Sequence, residues 1–126
     1  GLGDVYKRQV GKAQREWMVR ELARAESRGE RVICFAHMPL MPPDGQFTLW
    51  NNGQIAALLQ RYPCVRAFLA GHHHKGGAHR FGSVLHFIFQ GMIEGPDNHY
   101  AIVEVYPDKL VIRGYGAQRD EILRWL

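Results

Sequence analysis

The chain has 126 residues, of which 46% are hydrophobic and 22% charged, a balance that suits one globular domain or a piece of one. No apolar run approaches the roughly 20 residues that cross a bilayer and no signal-peptide pattern opens the chain, so no membrane partner is expected and a cytoplasmic location is. The net charge of +4 is modest and scattered, without the Lys/Arg stripe interleaved with aromatics that marks a nucleic-acid binder.

Residues 1–9, GLGDVYKRQ, stand apart. Back-translated codon by codon, they resemble the adapter and transposase end used in making sequencing libraries, and they are set aside from the fold. The natural sequence is expected to start near Val10, inside a longer gene. From there, KAQREWMVRELARAESR places Trp17, Met18, Leu22 and Ala25 near one face of a 3.6-residue period. Arg15, Glu16, Arg20, Arg24 and Arg28 take the other face, and Gly29 supplies a stop. RVICFA follows, a short continuous apolar run of strand formers suited to a strand covered on both faces.

The next segment, HMPLMPPDGQFTLWNN, is a long loop with prolines at 39, 42 and 43 and a glycine at 45. Loops of that length in a compact domain are usually functional or disordered. NGQIAALLQRY reads as a helix with Ile55, Leu58 and Leu59 inward, ended before Pro63. CVRAFLA is a second buried strand, and AGHHHKGG comes directly after it. Cys34 and Cys64 each lie inside an apolar run and read as buried free thiols.

Helix–strand–loop–helix–strand is the alternation that builds a parallel sheet with helices on its faces. After the histidines the grammar changes. SVLHFIFQ, HYAIVEVYP and KLVIRGYG are strands separated by turn signals, the last two joined at Pro107-Asp108 as an antiparallel hairpin. The fold class expected is therefore α/β, with two helix-flanked strands followed by an antiparallel strand set. The tail, AQRDEILRWL, is too short to assign.

The chemistry concentrates at two strand ends. His37 stands just past RVICFA, and His72 and His74 just past CVRAFLA. If the two strands are parallel, both loops open on the edge where open α/β sheets place their ligands. The i, i+2 spacing of His72 and His74 points both to one side of an extended segment and turns His73 away. Glycines at 71, 76 and 77 let the backbone turn tightly and approach a bound group. Imidazole suits Mn, Fe or Zn, whereas Mg and Ca prefer oxygens. Metal binding by His37, His72 and His74 is the reading for the constellation; surface or core placement is the reading for His79, His86 and His99. Two serines, Ser27 and Ser83, without a nucleophile elbow make a serine hydrolase unsupported, and no phosphate-binding glycine loop appears.

FAHMPL and AGHHHKGG together resemble the last two motifs of the calcineurin-like metallophosphoesterases, an isolated histidine after one strand and Gly-His-x-His after the next. More narrowly, residues 11–115 are similar to the manganese-dependent ADP-ribose/CDP-alcohol diphosphatases. LWNN, AFLAGHHHKGG, the GMIEGPDNHYAIVEVYP run and KLVIRGYG carry that likeness. The resemblance implies that residues 10–126 are the C-terminal part of one phosphoesterase domain, half of an αββα sandwich. It implies two divalent metal ions, with Mn expected, His37 and His72 on one and His74 on the other. The substrate implied is a small nucleotide diphosphate, hydrolysed at its pyrophosphate bond by in-line attack of metal-activated hydroxide. Trp50 and Asn51 match a Trp-Asn pair with a part in substrate binding; the alternative is a loop anchor with a helix N-cap. Lys75 stands where the family often has an acidic residue, and Glu94 also matches its pattern.

Of the family's upstream motifs, Gly-Asp-x-x-Asp and Gly-Asn-His-Asp/Glu do not occur in residues 10–126. Asp44, Asp97 (in Asp97-Asn98-His99), Asp108 and Asp120 do not stand in the contexts that the family's Asp-x-His and other motifs require. Three histidines alone are half of a binuclear shell, so the expectation is an enzyme as the full-length parent and little or no activity in this chain by itself. Apolar faces that normally meet the missing half are expected to be exposed. The rival reading is a non-catalytic metal- or nucleotide-binding module with the same fold.

Overall fold

A computed structural model describes residues 10–41, 51–71, 76–91 and 98–125. The first helix, α1 (Lys12–Arg28), ends at Gly29, whose φ of 68° is the left-handed turn that a side chain resists. Leu22 and Ala25 are its buried stripe and Met18 packs beside them. Trp17, expected on that face, is 52% exposed. One residue is 100° of helical rotation, enough to carry the indole out of the stripe. Strand β1 (Val32–Ala36) follows, then α2 (Asn52–Gln60) and β2 (Val65–Ala70). In α2, Ile55, Ala56 and Leu59 are buried, whereas Leu58 is only partly so.

Strands β1 and β2 pair in parallel, with Ala36 opposite Ala70 at their carboxyl ends. The chain then forms β3 (Gly77–Phe81) and β4 (Val84–Ile88), an antiparallel hairpin. Strand β4 enters the sheet parallel to β2, giving the order β1-β2-β4-β3. Sequence patterning contained no hint of β3, because GAHRF lacks the β-branched and apolar alternation of a half-buried strand. A second sheet holds β5 (Tyr100–Val105), β6 (Lys109–Tyr115) and β7 (Glu121–Arg124), all antiparallel. The expected hairpin turns at residues 106–108, and the unassigned tail supplies β7.

Two cores bracket the four-stranded sheet. On one face, Phe68, Ala70 and Val84 meet Leu22 of α1 and Ile55 and Leu59 of α2. On the other face, Ala67, Leu69, Leu85 and Phe87 meet Leu110, Ile112 and Leu123 of the second sheet. This is the period-2 alternation of strands with both faces covered, at work in β2 and β4. The layers run helices, sheet, sheet. Strand β1 departs from the expectation of two covered faces: it is an edge strand and Phe35 is 74% exposed. Apolar surface also shows on the outer side of the second sheet, where Ile122 is exposed and Tyr100 and Tyr115 stack at 4.6 Å.

Leu69 fills the gap between the sheets at 1% exposure. Leu69→Ala is expected to lower the unfolding free energy by ~2–5 kcal/mol, the range for cavity-forming core truncations, measured by urea denaturation of both proteins. A loss within error would show that the two sheets do not pack on one another.

Candidate metal centre at the strand ends

Parallel pairing of β1 and β2 brings their carboxyl ends to one edge, as the sequence required for its histidines to meet. The ladder continues one step past both strands: the Gly71 N–H donates to the His37 carbonyl at 2.9 Å. His37 is exposed, and a methyl on Gly71 would lie 3.6 Å from its carbonyl oxygen and 3.8 Å from Nδ1. The imidazole thus stands directly beside the residue that precedes His72 in the chain. His72, His73, His74 and Lys75 lie outside the described residues, as do Trp50 and Glu94. At the far end of the histidine segment, Gly76 adopts a φ of 74°. A Cβ there would come within 3.0 Å of the Ile88 carbonyl and the Gln90 side chain. Gly76 therefore has both a conformational and a steric reason to be glycine.

Among the described residues, no group of three or more His, Cys, Asp or Glu side chains is placed to hold a metal ion. His37 fits such an ion in its chemistry, offering a nitrogen ligand at an accessible strand end. Asn51 is occupied differently. Its Oδ1 accepts from the Val10 N–H at 3.1 Å and its Nδ2 donates to the Val10 carbonyl at 2.8 Å. The side-chain amide ties the start of the described chain to the start of α2 and makes no capping bond to that helix. Asn52 extends the tie by donating to the Leu40 carbonyl at 3.0 Å.

The remaining histidines and cysteines sit elsewhere. His99 accepts from the Ala117 N–H at 2.9 Å. His86 is in the core, opposite His79 on β3 and 5.8 Å from the Phe68 ring, and neither of its nitrogens has a hydrogen-bond partner among the described residues. Both cysteines are free thiols. Burial pushes each up to about 11, which leaves them protonated and unreactive at neutral pH.

Sequence reasoning passed over one further group. Gln90, Gln118, Arg119 and Glu121 line a cavity of about 240 Å³ beside Gly76 and Gly77, between the two sheets. No motif marks these residues, because they belong to the ends of strands that only the sandwich brings together. A larger hollow of about 350 Å³, lined by Lys12, Arg15, Gln54 and Arg61, lies between the helices and away from the imidazole.

A histidine just past one of two adjacent parallel strands, on a sheet backed by helices and faced by a second sheet, matches the arrangement that the metallophosphoesterase resemblance implies. The comparisons agree with it. A manganese-dependent ADP-ribose/CDP-alcohol diphosphatase of Oryza sativa subsp. japonica is 38% identical over 117 residues, 88% of this chain and 36% of its own length. The Homo sapiens protein of that name is 34% identical, matching 89% of this chain and 34% of its own. A crystal structure of a dimetal phosphatase from Danio rerio superposes with a TM-score of 0.83 at 29% identity, over 92% of this chain and 38% of the other. No protein-family profile matches the chain. Over most of its length the chain is homologous to proteins named manganese-dependent ADP-ribose/CDP-alcohol diphosphatase, and its structural neighbour is a dimetal phosphatase, consistent with the metallophosphoesterase superfamily. It spans about a third of the length of these relatives.

Burial, with His79 nearby, lowers the His86 pKa to about 4 from an ordinary 6.5. Between those values the unfolded chain binds a proton that the folded chain refuses, so stability is full above pH 6.5 and declines as pH falls towards 4. The loss over that window is expected to be about 3 kcal/mol. His86→Phe removes this part of the slope. Urea melts of both proteins at pH 4.5, 5.5 and 6.5 check it, and parallel slopes in the two would refute it.

Proposed function

We propose that this chain carries the histidine half of a metal-dependent diphosphatase that cleaves the pyrophosphate of ADP-ribose, a CDP-alcohol or a related nucleotide diphosphate. The observation that carries the proposal is the Gly71–His37 bond, which sets an exposed imidazole beside the start of the Gly-His-x-His segment. Kinship with proteins named for that activity supports it. In this reading His37, His72 and His74 hold two divalent ions, manganese by analogy with the relatives. The chemistry that ions supply at such donors is a water acidified towards hydroxide and a positive clamp on phosphoryl oxygens. The protein's part is to hold the imidazoles. Backbone pairing of the strand ends fixes His37, with Gly71 directly alongside its ring. Trp50 is the residue proposed to contact substrate, with the Asn51 clasp on Val10 holding the chain next to it.

The reaction adds water across the P–O–P bridge, releasing a nucleoside monophosphate and a phosphorylated alcohol or sugar. The bridging aspartate, asparagine and general-acid histidine of the family have no counterpart in residues 10–126, so hydrolysis is assigned to a chain that also carries those motifs. A metal- or nucleotide-binding module without catalysis remains the second reading, favoured by that same lack. The deciding assay is manganese-dependent release of AMP from ADP-ribose, by this chain and by a longer product of the same gene with the three upstream motifs. The expected result is turnover by the longer chain alone. His74→Ala in it should cost more than the ~10–100-fold typical of losing an outer partner of a metal ligand. Turnover by the 126-residue chain, abolished by His74→Ala, would contradict the assignment of missing groups.

A further inference from the structure

The cavity between the sheets lies at the same edge as His37. Its floor includes Gly77, which opens β3, and Ile88, which closes β4. Strand β4 is two places from β1 in the sheet, so the cavity opens about 10 Å from the end of β1 at ~4.8 Å per strand. Its opposite wall belongs to the second sheet and is held by Gln118, which is 7% exposed. The Gln90 N–H donates to the Gln118 Oε1 at 2.8 Å, and the Gln118 Nε2 donates to the Arg119 carbonyl at 3.2 Å. Both ends of that amide are committed, which makes Gln118 the frame of the wall. Gly114 allows the wall to lie close, since a Cβ there would overlap the Gln118 carbonyl.

The groups left to meet a ligand are Arg119, Glu121 and the Gln90 side chain. Arg119 is exposed and Glu121 half-buried, and among the described residues neither has a charged partner. A guanidinium and a carboxylate that share one cavity without bridging each other suit a ligand with both an anionic group and hydroxyl donors. The volume of about 240 Å³ corresponds to roughly eight waters at ~30 Å³ each, room for a single sugar ring. Phe87 offers no stacking platform for a base, because its ring is already packed edge-on with Phe89 at 4.9 Å.

We propose that this cavity binds the sugar-phosphate half of the substrate, with Arg119 on the phosphate and Glu121 and Gln90 on the sugar hydroxyls. The assignment rests on the diphosphatase reading above, and it deepens that reading by giving specificity for the sugar arm to residues distant from the histidines in sequence. On cleavage of ADP-ribose the cavity would hold the ribose 5-phosphate.

The test is ¹⁵N–¹H NMR of the labelled 126-residue chain titrated separately with ribose 5-phosphate, inorganic phosphate and AMP. Ribose 5-phosphate is expected to shift the amides of Gly76, Gly77, Gln90 and Glu121 and to leave those of Ala25 and Leu59 in place. Arg119→Ala should weaken its binding about tenfold, the scale of one lost charge-assisted contact. Glu121→Gln should weaken ribose 5-phosphate several-fold and leave inorganic phosphate unchanged. Silence of the cavity amides at millimolar ribose 5-phosphate overturns the proposal, as does a response to AMP that equals it. A manganese titration of the same sample separates the two ideas. Broadening at His37 and Gly71 with a silent cavity removes only the sugar site; a responsive cavity without that broadening supports the sugar site and counts against the metal reading.

Discussion

The parallel ladder between β1 and β2 is the constraint on which the site depends. Parallel strands deliver their carboxyl ends to one edge, and in this sheet the two ends finish level, Ala36 opposite Ala70. The hydrogen bond from Gly71 to His37 carries the ladder one residue further, out of the strands and into the loops. His37 and His72 are 35 positions apart in sequence, yet the backbone of one is bonded to the residue next to the other. A one-residue slip in register would turn every side chain of β1 to the opposite face and break this meeting.

That register is secured by burial on both faces of the sheet. Helices α1 and α2 cover one side through Leu22, Ile55 and Leu59, and β6 and β7 cover the other through Leu110, Ile112 and Leu123. Apolar area removed from water at about 25 cal/mol per Å² drives both contacts. His86 is the exception inside this apolar packing, a polar ring held neutral among hydrophobic neighbours. Its two nitrogens, without a hydrogen-bond partner among the described residues, cost stability that an apolar ring of similar shape would not. The rims of the sandwich are looser. Surface ion pairs such as Arg124–Asp108 are highly exposed and contribute little.

The second sheet does more than cover the first. Through Gln118 it reaches across to Gln90 and closes a polar cavity next to the histidine segment. Glycines at 76 and 114 make the closure possible, one by accepting a left-handed conformation and the other by leaving space for a carbonyl. A hydrolase of this kind has to seat two unlike halves of a substrate around one phosphorus bridge. In the proposed reading the strand-end edge holds the metal ligands and the intersheet cleft takes one arm.

Local pattern alone determined much of this protein. Continuous apolar runs marked β1, β2 and β4, a 3.6-residue stripe marked α1, and Pro107-Asp108 marked the β5–β6 hairpin, because each signal is short-range and set by burial or turn chemistry. The place of His37 just past β1 was legible too, whereas His72 and His74 lie outside the described residues. Tertiary structure alone decided the rest. That β4 joins β2 in parallel, that GAHRF is a strand and that the tail adds β7 all depend on pairing with distant segments. Trp17 and Phe35 are exposed because a neighbouring layer does not reach them, and no window of sequence contains that layer. Asn51 is occupied by Val10 for the same reason. Arg119 and Glu121 carry no motif, and only the packing of one sheet on the other turns them into the wall of a cavity.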